Sequence, residues 1–181
     1  WKASDTRSVY FENMRVPAEN ILGNPAQGFK QFLRTLTGGR ITIGALSLGT
    51  AQGGYDAALR YSQEREAFGK TINKFQGVSF KLSDMATEIQ AAKHLVYHAA
   101  WLKDNGHDVI KEAAMAKLYA SEMAMRVTTE AIQIHGGYGY IKEYDVERYF
   151  RDAKILEIGE GTSEIQRIII SREILKSVSA A

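Results

Sequence analysis

Apolar residues recur at helical spacing through most of the chain. The clearest run is Val78, Leu82, Met85, Ile89, Ala92, Val96 and Ala99, spaced 4, 3, 4, 3, 4, 3. A 3.5-residue period is the seam of a helix packed nearly parallel or antiparallel to a neighbour, and Asn105-Gly106 predicts where it stops. Before it, residues 27–65 hold no proline and carry Phe29, Leu33, Leu36, Ile43 and Leu46. Helical throughout, that segment is roughly 55 Å long. It contains Gly38, Gly39, Gly44, Gly49, Gly53 and Gly54. Each costs about 1 kcal/mol relative to Ala in a helix, so each needs a reason, either close packing or a ligand against the backbone. A third helix is predicted from Asp108 as N-cap. Its face is Ile110, Ala113, Ala114, Lys117, Ala120, Ala124, Val127, Ala131 and Ile134, and its small side chains let helices approach closely. Gly136, Gly137 and Gly139 stop it. Glu143–Arg151 reads as a short helical turn. A last helix starts near Ser163, where Ser163 and Gln166 fit a capping box, with Ile165, Ile168, Ile169 and Leu175 as its stripe.

Residues 1–25 differ. Both prolines, Pro17 and Pro25, lie here, and Ser8–Phe11 is β-prone. One or two short strands and a loop are expected, although a lone hairpin is marginal in water. Short loops between long helices imply antiparallel neighbours. The expected fold is therefore all-α: an up-down four-helix bundle over residues 26–181, with a short β remnant and linker at residues 1–25.

Length and charge narrow the classes. At 181 residues the chain is long enough for one real core. Lys plus Arg is 23 against 21 for Asp plus Glu, and that near-balance argues against a nucleic-acid binder. No apolar run approaches 18 residues, so no membrane span is expected. The absence of cysteine excludes disulfides and thiolate metal sites. Residue 1 is Trp, not Met, as expected of a piece of a longer protein.

Three places could carry chemistry. In Gln133-Ile134-His135-Gly136-Gly137-Tyr138-Gly139 the glycines expose backbone N–H groups to a phosphate or cofactor, or simply cap a helix. No second His or carboxylate stands at ligand spacing from His135, so a structural histidine and no metal are expected. In Gly159-Glu160-Gly161-Thr162 a carboxylate lies between two glycines beside Ile155, Leu156 and Ile158. An apolar wall suits a general base, and a helix N-terminus explains the same residue without chemistry. Arg65 beside Phe68-Gly69 fits an anion site or a solvated surface.

The order of these segments is more telling than any one of them. Arg65-Glu66-Ala67-Phe68-Gly69-Lys70, Gln76, Gln133–Gly139, Arg151-Asp152-Ala153-Lys154-Ile155 and Gly159–Gln166 follow one another as in the C-terminal part of a flavin-dependent acyl-CoA dehydrogenase. The resemblance covers essentially the whole chain, with Asp5-Thr6-Arg7 through Val16-Pro17 resembling the last strands of that family's middle β-domain. It implies FAD as cofactor and α,β-dehydrogenation of an acyl-CoA thioester. Glu160 would take the α-proton while the β-hydrogen leaves as hydride. The Glu160 backbone N–H and a flavin ribityl hydroxyl would hold the thioester oxygen. Gly161, Thr37 and Arg40 match substrate-side positions. Thr162 and Glu164 match positions near the FAD diphosphate and adenosine. Arg65, Phe68 and Gln76 match contacts to FAD that reach a neighbouring subunit, and Gln133, Gly136 and Gly137 belong to the motif that meets a partner's FAD.

The resemblance further implies a homotetramer built as a dimer of dimers and electron-transfer flavoprotein as acceptor. The compartment implied is the cytoplasm, or the mitochondrial matrix in a eukaryote. Two positions depart from the pattern. Some members carry the base on the first helix, where this chain has Gly39, so the base should be Glu160. The residue before the base is often Tyr and here is Gly159. The rival readings are an acyl-CoA oxidase, a flavin monooxygenase relative, which generally lacks this Glu, and, for the piece alone, a non-catalytic oligomerisation bundle.

Overall fold

The structure, a computed structural model, describes residues 1–2 and 4–179, with side-chain surroundings as far as Lys176. Five α-helices dominate the described residues: α1 (Gly28–Glu64), α2 (Gln76–Asp104), α3 (Ile110–His135), α4 (Val146–Ile158) and α5 (Ser163–Ser179). Side-chain pairings give their directions. Gly44 of α1 lies against Val96 of α2 and Ala116 of α3, and Gly54 lies against Thr128 and Ala131, so α1 runs with α3 and against α2. Ion pairs Lys81–Glu130 and Glu88–Arg126 set α2 antiparallel to α3. Gly53 meets Tyr149 and Gly39 meets Glu160, so α4 descends beside α1. The Arg167–Glu122 pair lays α5 along α3. The topology is up-down throughout, as expected.

The core is drawn from α1 to α4, with Val109 between α2 and α3. The α2 seam from Leu82 to Ala99 is buried as its spacing predicts, and so is the alanine stripe of α3. Two expectations need correction here. The buried face of α1 is not the Phe29, Leu33, Leu36, Ile43, Leu46 face. Phe29, Leu33 and Leu46 are exposed, and the interior face is Arg40, Ile41, Gly44, Ser47, Ala51, Gly54, Ala58 and Ser62. Small residues win because α3 brings its alanines against them. The turn expected at 143–151 is a true helix, α4, which puts Val146, Ala153 and Leu156 inside, while no described side chain of α5 joins the central cluster.

The strands expected in residues 1–25 are absent among the described residues. The described residues of this segment are exposed and irregular, with bends, positive φ at Asn13 and Gly23, and 3-10 turns at Ala18–Asn20 and from Pro25. A strand needs a partner for its backbone groups, and these residues meet no sheet; Tyr10 is 88% exposed. A small sheet lies elsewhere among the described residues. β1 (Glu66–Ala67) and β2 (Lys70–Thr71) pair antiparallel across Phe68-Gly69. Both turn residues have positive φ, 52° and 77°, as a two-residue hairpin of the I′ kind requires. Helix α3 starts at Ile110 with Val109 as N-cap, one residue later than expected, and Asp108 Oδ1 still accepts the Ile110 N–H at 3.2 Å.

The glycines of α1 separate cleanly by what surrounds them. A Cβ at Gly44 would lie 3.1 Å from Val96 Cγ2, whereas one at Gly49 meets nothing within 4 Å, so packing does not explain Gly49. Gly49→Ala is therefore expected to stabilise the chain by roughly 0.5–1 kcal/mol, and Gly44→Val to destabilise it by about 1–3 kcal/mol through overpacking. Urea denaturation of both variants checks the pair.

Candidate functional site

Helix α4 ends at Ile158, and Gly159 closes it by donating its N–H to the Ile155 carbonyl at 2.7 Å. The chain must then turn at once to start α5 at Ser163. It does so through two left-handed residues, Glu160 at φ 54° and Gly161 at φ 99°. Gly161 accepts this conformation freely. Glu160 does not, at a cost on the order of 1–3 kcal/mol that the surroundings must offset. The Gly161 carbonyl accepts from Lys117 Nζ at 2.6 Å and from Gln166 Nε2 at 2.9 Å, and Lys117 also donates to the Glu157 carbonyl at 3.2 Å. Both Lys117 and Gln166 are fully buried.

This turn aims Glu160 at α1. A Cβ on residue 39 would overlap the carboxylate and lie 2.6 Å from Glu160 Cδ. Gly39 is therefore the hollow in which the carboxylate rests. Next to it, Arg40 is buried, its Nη1 donates to Thr37 Oγ1 at 3.3 Å, and its Nε has no partner among the described residues. Burial lowers the Arg40 pKa and the Glu160 charge opposes that shift. An arginine stays charged regardless, so a cation stands beside the carboxylate. Thr37 and Arg40 also line a cleft of about 640 Å³ with Lys30, Arg34, Arg172 and Lys176, and with Asp108 and Glu173, the latter paired to Lys176; the cations outnumber the carboxylates, which suits an anionic ligand.

The expected capping box at Ser163 and Gln166 is corrected. Ser163 Oγ is buried without a partner, Gln166 turns its amide to Gly161, and Thr162 is the capping side chain, its hydroxyl accepting from the Ile165 N–H at 3.4 Å. Glu164 is exposed at this helix start, and bonds from its own backbone N–H and the Thr162 hydroxyl hold its carboxyl below the usual range.

The other candidate residues lie at the far end of the bundle. Arg65, Gly136 and Gly137 line a cleft of about 560 Å³ together with His135 and Tyr138. The Arg65 guanidinium sits 5.4 Å from the centre of the Tyr138 ring. Gly136 has φ 60°, and a Cβ on Gly136 or Gly137 would meet nothing, so backbone here is open to a ligand. Phe68, 96% exposed, is held at the hairpin tip edge-on to Phe75. Gln76 and Gln133 are exposed, at the start of α2 and in the last turn of α3. His135 is structural, as expected: buried, Nδ1 2.8 Å from the Ala131 carbonyl, stacked on Tyr61 at 4.2 Å, with its pKa lowered by burial. From Gly39 to Arg65 along α1 the two groups are roughly 40 Å apart at 1.5 Å per residue.

Lys117 stands on the α3 face predicted from the sequence, which assigns it no role at the site. Burial lowers its pKa to about 8, against the favourable charges of Glu157, Glu160 and Glu164. An ammonium in a stripe of alanines is the signal that could have given it one.

The chain matches the family model described as acyl-CoA dehydrogenase, C-terminal domain, over residues 26–175. It is 59% identical over 175 residues to the probable acyl-CoA dehydrogenase YngJ of Bacillus subtilis, covering 97% of this chain and 46% of that protein. It is 50% identical over 176 residues to the mitochondrial short-chain specific acyl-CoA dehydrogenase of Rattus norvegicus, covering 97% of this chain and 43% of that one. Among solved structures, butyryl-CoA dehydrogenase from Megasphaera elsdenii superposes with a TM-score of 0.90 at 51% identity, over 91% of this chain and 43% of that chain. The chain thus spans less than half the length of the relatives it matches.

The Lys117 shift makes a pH prediction. Below about pH 8 the ammonium is protonated folded and unfolded, and its burial penalty is fully present. Between about 8 and 10 the folded state sheds the proton and the unfolded state keeps it, so stability rises with pH. The difference in thermal midpoint between the native chain and Lys117→Met should change across this window and be flat from pH 6 to 7.

Proposed function

The chain belongs to the acyl-CoA dehydrogenase family, and we propose that it is the helical, base-bearing part of an enzyme that dehydrogenates an acyl-CoA thioester between Cα and Cβ. Residues 26–181 form the bundle domain in this reading, and residues 1–25 join it to the rest. The observation that carries the reading is the Glu160 carboxylate lying in the hollow of Gly39 beside Arg40. Gly39 is the position where some family members carry the base, so either residue would deliver a carboxylate to the same place.

In the proposed reaction Glu160 takes the α-proton. The Arg40 guanidinium, held by Thr37, stands where it would oppose the negative charge that develops at the thioester carbonyl. Gly161 would line the substrate beside the base. Lys30, Arg34 and Arg172, cations of the Thr37 and Arg40 cleft outside its Lys176–Glu173 ion pair, fit the phosphates of coenzyme A. FAD, when bound, supplies the hydride acceptor. Thr162 and Glu164 would meet it at this end of the bundle. Arg65, Phe68, Gln76, Gln133, Gly136 and Gly137 would hold a second FAD at the other, and the open backbone at Gly136-Gly137 with the adjacent guanidinium fits its diphosphate and adenosine.

One FAD does not bridge roughly 40 Å of helix, so the two groups serve different flavins. That favours a homo-oligomer, for which we propose a tetramer. Exposed Ile165 and Ile168 on α5 and Phe80, Tyr97 and Trp101 on α2 offer surface for it. Electron-transfer flavoprotein is the proposed acceptor, in the cytoplasm or, in a eukaryote, the mitochondrial matrix. No described helix is long and apolar enough to cross a membrane. The remaining half of such an enzyme would supply most flavin-ring contacts, so the 181 residues alone are expected to turn over nothing.

Glu160→Gln in the full-length enzyme is the test. Dehydrogenation should fall by roughly 10²- to 10⁴-fold, the range of a lost general base, while FAD absorbance per subunit stays unchanged. Near-normal turnover would remove Glu160 from the role.

A further inference from the structure

Lys117 lies in the middle of the most buried helix, yet no carboxylate forms an ion pair with it among the described residues. Its ammonium is instead spent on two backbone carbonyls, those of Glu157 and Gly161, which bracket Glu160 in sequence. The first belongs to the last turn of α4, where carbonyls have no partner within the helix. The second follows directly on the left-handed Glu160. We propose that Lys117 is a positioning residue for the base: by pinning both sides of the turn it holds Glu160 in the left-handed conformation that sends its carboxylate to Gly39.

Three features make this more than packing. A core position flanked by Ala113, Ala114, Ala116 and Ala120 would be filled more simply by an apolar side chain, since burying an ammonium carries a large desolvation penalty. The second donor on the Gly161 carbonyl, Gln166, comes from α5, so the turn is clamped from two helices at one atom. And a non-glycine residue stays left-handed only where its surroundings over-determine it; here the over-determining contacts are those of Lys117 and Gln166. Without the ammonium, the Glu160 backbone can relax toward φ below zero, which swings the side chain out of the Gly39 hollow. Lys117 touches no reacting atom in this account and acts only through residue 160.

The inference rests on Glu160 being the base, and the experiment separates the two. In the full-length enzyme, Lys117→Met keeps the length of the side chain and removes the donors. The expected result is a fall of at least tenfold both in kcat and in the rate of α-proton exchange of a bound acyl-CoA in deuterated water. KM should stay within twofold, FAD stoichiometry should be unchanged, and Lys117→Arg should restore part of the loss. Faster hydrogen exchange at residues 159–162 of the folded Lys117→Met chain should accompany it. If Lys117→Met does not fold, Gln166→Leu, which removes the other donor to the same carbonyl, should lower kcat and the exchange rate severalfold at constant KM. A folded Lys117→Met enzyme with native kcat, or a loss confined to KM or to thermal stability, overturns the proposal, as does native turnover in Gln166→Leu. An inactive Glu160→Gln beside a fully active Lys117→Met would sink the positioning role alone; an active Glu160→Gln would sink the assignment of the base.

Discussion

Residue 39 has no side chain, and the carboxylate of Glu160 lies in the space this leaves. That steric relation depends on most of the bundle. It needs α4 to run antiparallel to α1, so that the end of α4 reaches the early turns of α1. It needs α1 and α3 to be close, which the Gly44, Ser47, Ala51, Gly54 and Ala58 seam against the alanines of α3 provides. It also needs a turn between α4 and α5 sharp enough to use two left-handed residues. Lys117 and Gln166 meet at the Gly161 carbonyl to hold that turn. Small residues in the core and a buried ammonium beneath the turn are thus parts of one arrangement.

Much of this was legible in the sequence where one period dominates. The α2 seam is regular because a single neighbour sets it, and every residue from Leu82 to Ala99 on that seam is buried. The α1 face was not legible by hydrophobicity. Phe29, Leu33 and Leu46 outweigh Gly44, Ser47 and Gly54 on any apolar scale, yet close helix approach selects small residues. Helix α4 was under-read because its buried Val146, Ala153 and Leu156 are interleaved with charges, which pair along its surface as Glu147–Arg151 and Lys154–Glu157. The strands expected in residues 1–25 failed for a different reason. β-propensity reports fit to a sheet, and these residues meet none.

The candidate site residues follow from the family resemblance, and the structure places them in two groups. Glu160, Gly161, Thr162, Glu164, Thr37 and Arg40 gather at one end of α1; Arg65, Phe68, Gln76, Gln133, Gly136 and Gly137 gather at the other. No spacing along the sequence could have shown that division, since it follows from the length of a helix and the up-down order of its neighbours. Lys117 stands on the predicted α3 face as a charge in an alanine stripe, with no role assigned to it by the sequence. Its meaning depended on the carbonyls it reaches, 40 and 44 positions away.

The central claim is that the carboxylate of residue 160 works from the hollow at residue 39. Gly39→Ala in the full-length enzyme tests it most directly, because the three atoms nearest the added methyl all belong to the Glu160 carboxylate. The account predicts native thermal stability and FAD content, with kcat lowered at least tenfold because the carboxylate is displaced. A Gly39→Ala enzyme with native kcat would contradict it.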